Sequence, residues 1–424
     1  MPPNPKPSRP RVALIGVSGY GSIHYNLLRQ LHSLGEIQLT AVAIIDPEKE
    51  QAVVAECRAA GCEVFADYAE MLRRHSGSLE LCAIPTGIPW HTRMTLAALE
   101  AGANVLVEKP LAATLAEVES IRAAEARHAR VVMLGFQYHY CAENIALKAE
   151  LLGSAIGKLR TIRAIGLWPR GADYYSRTDW AGRIRSGPAW VLDSPISNAF
   201  AHHLSLALFF AGPLQDRSAA PVRVSAELYR AQPIENFDTA ALRIETDTGV
   251  DIRFYASHSC KSTQEPELVL EGDGGRVVWS HGLGYRIEAD GAAPRHVPLG
   301  DEQTARLCMF RTALRRLGDP GVFICGTEIA REHTRCIQAA QCSGPVRDVP
   351  REWIGTNGKP GQRHDTWVIG IEETMRRAFD AARTLAEADC PWAGPPLAVL
   401  VADSDRDAVF SFPPEPVTKT PIIP

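Results

Sequence analysis

Six short apolar segments in the first 136 residues alternate with stretches of helical spacing, and no other feature limits the fold as strongly. The segments are "RVALIG", "IQLTAVAIID", "EVFAD", "LELCAIP", "NVLVEKP" and "VVMLGF". Between them lie "SIHYNLLRQLHSLG", "PEKEQAVVAECRAAG", "YAEMLRRH", "PWHTRMTLAALEAG" and "TLAEVESIRAAEARHA". A hairpin needs only a tight turn, whereas a helix-length connection returns the chain to make a parallel neighbour. The pattern therefore predicts a doubly wound parallel sheet with right-handed crossovers and helices on both faces. Local signals agree. Pro47 suits a first helical turn and Gly61 follows that helix. Thr114 and Glu117 are spaced as a capping box.

From about residue 155 the pattern changes. "GKLRTIRAIGLW", "VRVSAELYRA", "TAALRIETDTG", "VDIRFYASHS", "PELVLEGDGG", "RVVWSHG" and "YRIEADG" read as strands joined by turn residues. Helices are predicted in "ISNAFAHHLSLALFFAG", "EQTARLCMFRTALRRLG" and "DTWVIGIEETMRRAFDAARTLAEA". At 424 residues the chain exceeds what one core usually serves. We expect an α/β domain over 9–140, an α+β domain with a mostly antiparallel sheet over 141–400, and proline-rich tails at 1–8 and 401–424. The net charge of −4 and the lack of a basic run argue against nucleic acid as a partner. Leu204–Leu214 is too short for a membrane span. Ten scattered cysteines without a Cys-x-x-Cys pair read as reduced thiols in a cytoplasmic protein, and no metal-ligand spacing is evident.

Gly16, Gly19 and Gly21 follow the first strand in "LIGVSGYG". Glycines there permit a tight turn and let a pyrophosphate approach the N-terminus of the next helix, where free N–H groups and the helix dipole favour an anion. Asp46 ends the second strand, where a carboxylate accepts from ribose hydroxyls and repels a 2′-phosphate. The expected cofactor is NAD, with NADP possible. Asp46 also suits the N-cap of the helix starting at Pro47.

The fifth segment ends in Glu108-Lys109-Pro110, two charges and a proline on a buried strand. Together with "AVAIIDPE", "IPTGIPWHTRMTLAALEAGANVLVEKPLAATLAE", "GFQYHY" and "RTDWAGRIRSGPAWVLDSPISNAFAHHL", this motif resembles the Gfo/Idh/MocA oxidoreductases from about Arg11 to Asp348. The resemblance implies an N-terminal Rossmann domain, a C-terminal open-faced sheet, and hydride transfer between a nicotinamide and a sugar, sugar acid or cyclitol. It places Lys109 between nicotinamide and substrate as the group that polarises or deprotonates the reacting oxygen, with Pro110 fixing the turn. It places Thr86, His91 and Glu108 along the cofactor, although His91 equally suits a packed helix start. An open apolar face implies a homodimer or homotetramer.

In the family pattern an aspartate precedes a histidine by four residues. Here Asp193 matches the aspartate, but Ser197 stands at the histidine position. With Ser194 as N-cap and Pro195 in the first turn, Asn198 and His202 fall on one helical face. Asn198 then meets substrate, and His202 is either the base or a core histidine. His203 is read as structural. His139, Trp168, Tyr174 and Trp180 are the remaining expected substrate contacts, the last three in the aromatic and charged loop "WPRGADYYSRTDW". Two alternatives stay open: NAD-dependent glycoside cleavage on the same fold, and a non-catalytic ligand sensor.

Overall fold

The computed structural model describes residues 9–357 and 365–402; residues 1–8 and 403–424 of the proline-rich tails lie outside them. The alternating first third forms β1 (Arg11–Ile15), α1 (Gly21–Ser33), β2 (Gln38–Ala43), α2 (Gln51–Ala59), β3 (Glu63–Phe65), α3 (Tyr68–Arg74), β4 (Leu81–Ile84), α4 (Ile88–Glu100), β5 (Asn104–Val107), α5 (Leu115–His128) and β6 (Val132–Leu134). All pairings are parallel, in the order β3-β2-β1-β4-β5-β6. Helices cover both faces, so Val12, Leu14, Cys82, Ile84, Val105 and Val107 are fully enclosed, as continuous apolar strands require. Thr114 and Glu117 form the expected capping box. After β1 the chain winds to one side and from β4 to the other. That reversal opens a crevice at the carboxyl ends of β1 and β4.

The second part contains α6 (Ala142–Leu152), β7 (Leu159–Leu167), α7 (Ala172–Ser176), the hairpin β8 (Arg185–Ser186) and β9 (Ala189–Trp190), and α8 (Ala201–Ala211). The meander β10 (Pro221–Arg230), β11 (Thr239–Thr246), β12 (Asp251–Ser257), β13 (Gln264–Gly272), β14 (Gly275–Ser280), β15 (Gly284–Ala289) and β16 (Arg295–Pro298) follows, then α9 (Glu302–Gly318), α10 (Thr327–Cys342) and β17 (Arg347–Asp348). The sheet order is β16-β15-β14-β13-β7-β12-β11-β10-β17, with Leu397–Leu400 also paired to β10. Only β7–β12 and β10–β17 are parallel, so the sheet is mostly antiparallel, as expected. Ile162, Leu242, Ile252, Phe254 and Leu268 on one face join the main core beneath α8 and α10.

The opposite face departs from the open surface expected from the resemblance. Ile165, Leu167, Tyr229, Ala241, Tyr255 and Val269 are buried there beneath Ile371, Met375, Ala378 and Phe379 of α11 (Ile371–Ala381) and Leu385 beyond it. The Tyr255 hydroxyl donates to the Arg383 carbonyl at 2.6 Å. Beyond this cover the face carries cross-strand ion pairs, Arg163 with Glu271, Arg243 with Asp251 and Arg276 with Glu288, and an Arg253–Asp251 pair within β12. Among the described residues the apolar part of this face is therefore covered within the chain, and the expected dimer or tetramer loses that surface as its basis.

Glu227 pins the cover by accepting from the backbone N–H groups of Leu385 (2.7 Å) and Ala386 (3.0 Å). Burial pushes its carboxyl up to about 7. The folded chain thus holds this proton more tightly than the unfolded chain, and stability falls as pH rises from about 4.5 to 7. Glu227→Gln is expected to flatten that part of the profile, read as urea midpoints at pH 5 and 7. An unchanged slope would reject this origin.

The two sheets are tied together. The α9 residue Arg311 pairs with Glu36 after α1, and Phe310 packs edge-on against His24 of α1 at 5.1 Å. Leu134 of β6 donates to the Cys325 carbonyl at 2.8 Å.

Candidate active site

The glycine turn fits a dinucleotide. Gly16 and Gly19 have φ of +94° and +57°, a region that favours glycine. A Cβ on Gly21 would meet the Gly16 carbonyl oxygen at 2.7 Å, so only glycine permits this approach. A Cβ on Gly19 would meet nothing within 4 Å, leaving space over the turn. The backbone N–H groups of Ser18, Gly19 and Tyr20 have no acceptor among the described residues. Unsatisfied donors before a helix N-terminus are what an anionic pyrophosphate requires. Thr86, at the end of β4, lies against Gly16, its methyl group 3.4 Å from where a Cβ would stand. Asp46 lies in the turn after β2 and pairs with Lys49 at 2.8 Å, which lowers its pKa.

Lys109 leaves the carboxyl end of β5 and crosses to the second domain. Its Nζ donates to both the carbonyl oxygen and Oδ1 of Asn198, each at 2.8 Å. Asn198 Nδ2 in turn donates to Asp193 Oδ1 at 2.9 Å and lies 3.4 Å from the Tyr174 hydroxyl. Asp193 Oδ2 accepts from the Gly182 N–H at 2.6 Å. Burial lowers the Lys109 pKa; Glu108 and Asp193 oppose this and Arg177 adds to it. Burial also raises the Asp193 pKa. Trp180 lies against Gly87 at the head of α4, where a Cβ would come within 2.8 Å of its Nε1. Lys109, Asp193, Asn198, Tyr174 and Trp180 thus come together beside the crevice.

Other expected residues are placed differently. Glu108 turns away from the crevice: its carboxylate meets His24 Nε2 at 3.0 Å and leaves no room for a Cβ on Gly135. Burial favours its neutral form, but His24 and Lys109 hold its pKa below the usual range. His91 is buried, its ring nitrogens 2.7 Å from the Pro110 carbonyl and 2.9 Å from that of Thr86. It ties together the two loops that carry Lys109 and Thr86 rather than lining the crevice. His139 is fully enclosed, packed against Phe136 and Phe209 and 3.3 Å from the Ser205 hydroxyl. Burial pushes its pKa down to about 3, and its full enclosure keeps it from a substrate in the crevice. Trp168 stacks on Phe200 and donates to Glu265 at 3.0 Å.

The helix carrying the predicted Asn198–His202 face begins later than expected. Residue 194 is a bend, residues 195–200 are turns and α8 starts only at Ala201, with the Asn198 carbonyl accepting from Lys109. His202 rests edge-on against Phe136 and Tyr138, and its Nδ1 is buried without a partner among the described residues. Burial drives its pKa well below the usual histidine value. No hydrogen bond joins it to Lys109, Asp193 or Asn198 among the described residues.

Ser197 has a local task. Its hydroxyl donates to the Leu192 carbonyl at 2.7 Å and accepts from the Ser194 N–H at 2.9 Å. Leu192 has φ of +49°, a conformation leucine rarely adopts, immediately before Asp193. Ser197 therefore braces the strained turn that aims Asp193. Sequence reasoning also missed His24 and Gly182. The first gives no signal at 84 residues from Glu108, and the second acts through its backbone. Among the described residues no group of histidines, cysteines and acids is suited to hold a metal, and no helix is long and apolar enough to cross a membrane.

Comparison with known proteins agrees with this geometry. The profile of an oxidoreductase family with an NAD-binding Rossmann fold matches residues 10–136, and that of the GFO/IDH/MocA C-terminal domain matches 145–278. The inositol 2-dehydrogenase/D-chiro-inositol 3-dehydrogenase of Shouchella clausii is 31% identical over 267 residues, 62% of this chain and 70% of its own length. The inositol 2-dehydrogenase of Ralstonia nicotianae is 27% identical over 263 residues, 62% of this chain and 72% of its own. Among solved structures, an NAD-binding oxidoreductase from Klebsiella pneumoniae superposes with a TM-score of 0.67 at 16% identity, covering 79% of this chain and 97% of that one. Its two matched domains, its glycine turn and this kinship make the chain a member of the Gfo/Idh/MocA oxidoreductase family.

Proposed function

We propose that this protein oxidises a hydroxyl group of a sugar, sugar acid or cyclitol at Lys109, with the reverse reduction open to it. The observation that carries the reading is the double hold of Asn198 on Lys109 Nζ. A neutral lysine amine has two N–H donors and one lone pair. Both donors are used by Asn198, so the lone pair remains to accept the proton of a substrate hydroxyl. In the ammonium form the third N–H is left instead, and it stabilises an oxyanion during the reverse reaction. Burial favours the neutral form. Bound at the glycine turn, NAD supplies the hydride acceptor. Asp46 favours NAD over NADP by repelling a 2′-phosphate, although Lys49 offsets part of that charge. Asp193 orients Asn198, while Tyr174 and Trp180 wall the substrate. The inositol dehydrogenases among the relatives support a polyol substrate.

The test is a panel of cyclitols, sugars and sugar acids with NAD, followed at the nicotinamide absorbance. Reduction of NAD by at least one polyol is expected. If the whole panel is inert in both directions while NAD binds, the dehydrogenase reading fails.

A further inference from the structure

Two cations at the rim of this site make no ion pair among the described residues. The Arg177 and Arg170 guanidinium carbons stand 3.8 and 5.0 Å from the centroid of the Tyr174 ring. Arg170 also reaches Trp168 at 5.9 Å, and Arg177 reaches Trp180 at 6.0 Å. Neither arginine has an ion-pair partner among the described residues, and Arg170 Nε is buried without a hydrogen-bond partner among them. On the large sheet Arg160, Arg163, Arg243, Arg253 and Arg276 each meet a carboxylate.

Three nearby acids make no ion pair with either arginine. Asp193 is buried and committed to Gly182 and Asn198. Asp179 accepts from Ser186, and Asp365 from Asn357. The Tyr174 hydroxyl lies against the asparagine that holds Lys109. The two guanidiniums therefore sit one aromatic ring away from the proposed reacting centre.

We propose that the substrate carries an anionic group, a carboxylate or a phosphate, which Arg177 and Arg170 receive while its hydroxyl meets Lys109. A guanidinium presents a planar fork that matches either anion in a bidentate fashion, and a neutral polyol gives that fork nothing to match. Stacking on Tyr174 fixes the cations in advance, which reduces the ordering cost on binding. This inference rests on the dehydrogenase reading for the position of the reacting hydroxyl, but the anion subsite has a readout of its own.

The experiment compares a neutral hexose or cyclitol with a hexonate, a hexuronate and a hexose phosphate. Both kcat/KM with NAD and calorimetric binding to the NAD-loaded protein are measured, in wild type, Arg177→Met and Arg177→Lys. The anions are expected to be preferred, and the Met variant to lower the anion-to-neutral ratio about 30-fold, as expected for a lost charged hydrogen bond. The Lys variant should restore only part of that preference. Hexonate and hexuronate binding better than the phosphate would identify a carboxylate, and the opposite order a phosphate. Anion binding that depends on Arg177 without NAD reduction would keep the subsite and reject dehydrogenation. Equal use of neutral and anionic compounds, or a ratio unmoved by Arg177→Met, would overturn the proposal.

Discussion

Lys109→Met is expected to lower kcat by about a thousand-fold, the range of a lost proton-transfer group or oxyanion donor. NAD affinity, read by calorimetry, should stay within a few-fold, because the glycine turn and its free N–H groups lie on β1 and α1, away from this side chain. Methionine keeps the unbranched length of the lysine stem, so the loss reports the amine rather than a cavity. In wild type, oxidation should quicken as pH rises through the Lys109 titration, since only the neutral amine accepts a proton. Burial lowers that pKa, so the midpoint should fall below the ordinary lysine value of about 10.4. A variant within tenfold of wild type would remove Lys109 from the chemistry. So would a wild-type profile without such a limb.

Residues close in sequence were the legible ones. Helix-length spacing fixed the parallel sheet, and Thr114 with Glu117 announced the start of α5. The glycine turn was readable because it depends on three neighbouring positions. The site across the cleft was only half readable. Asp193 and Asn198 stood out, but the contact between Lys109 and Asn198 spans 89 residues and leaves no local trace. Ser197 looked like the loss of a working group. In the fold its hydroxyl braces Leu192, a task set by a backbone angle that no residue pattern reveals. His139 illustrates the converse error: its place after "GFQ" in the family pattern suggested a cleft, while packing between Phe136 and Phe209 placed it in the core.

The cover over the large sheet follows the same rule. Ile371, Met375, Ala378 and Phe379 repeat at helical spacing, so a helix was expected there. Gly370 and Ala382, both at positive φ, bound it more tightly than expected, to Ile371–Ala381. Which sheet face that helix would cover depends on Tyr229, Tyr255 and Val269 lying side by side on three strands, a property of register alone. Arg170 and Arg177, without an ion pair among the described residues, were hidden likewise. An arginine without a partner becomes visible only once every nearby carboxylate is accounted for.

Lys148 should make the protein more stable by about 2 kcal/mol as pH rises from 7 to 9. The side chain is fully enclosed, and its Nζ donates to the Phe209 and Gly212 carbonyls at the end of α8. Burial away from any carboxylate pushes its pKa down to about 7. The unfolded chain keeps the proton up to the ordinary lysine value of about 10.4, so between the two values it binds more protons than the folded chain. Stability therefore increases with pH across this window, opposite in sign to the Glu227 contribution at lower pH. Lys148→Met removes the titrating group while filling the same channel. It should abolish the rise between pH 7 and 9 in urea midpoints, whatever its effect at a single pH. A negative end of the α8 dipole and two carbonyl acceptors partly favour the ammonium form. If they outweighed burial, the wild-type profile would be flat in this window and the variant would match it. The two slopes, measured side by side, decide whether desolvation or the helix end governs this lysine.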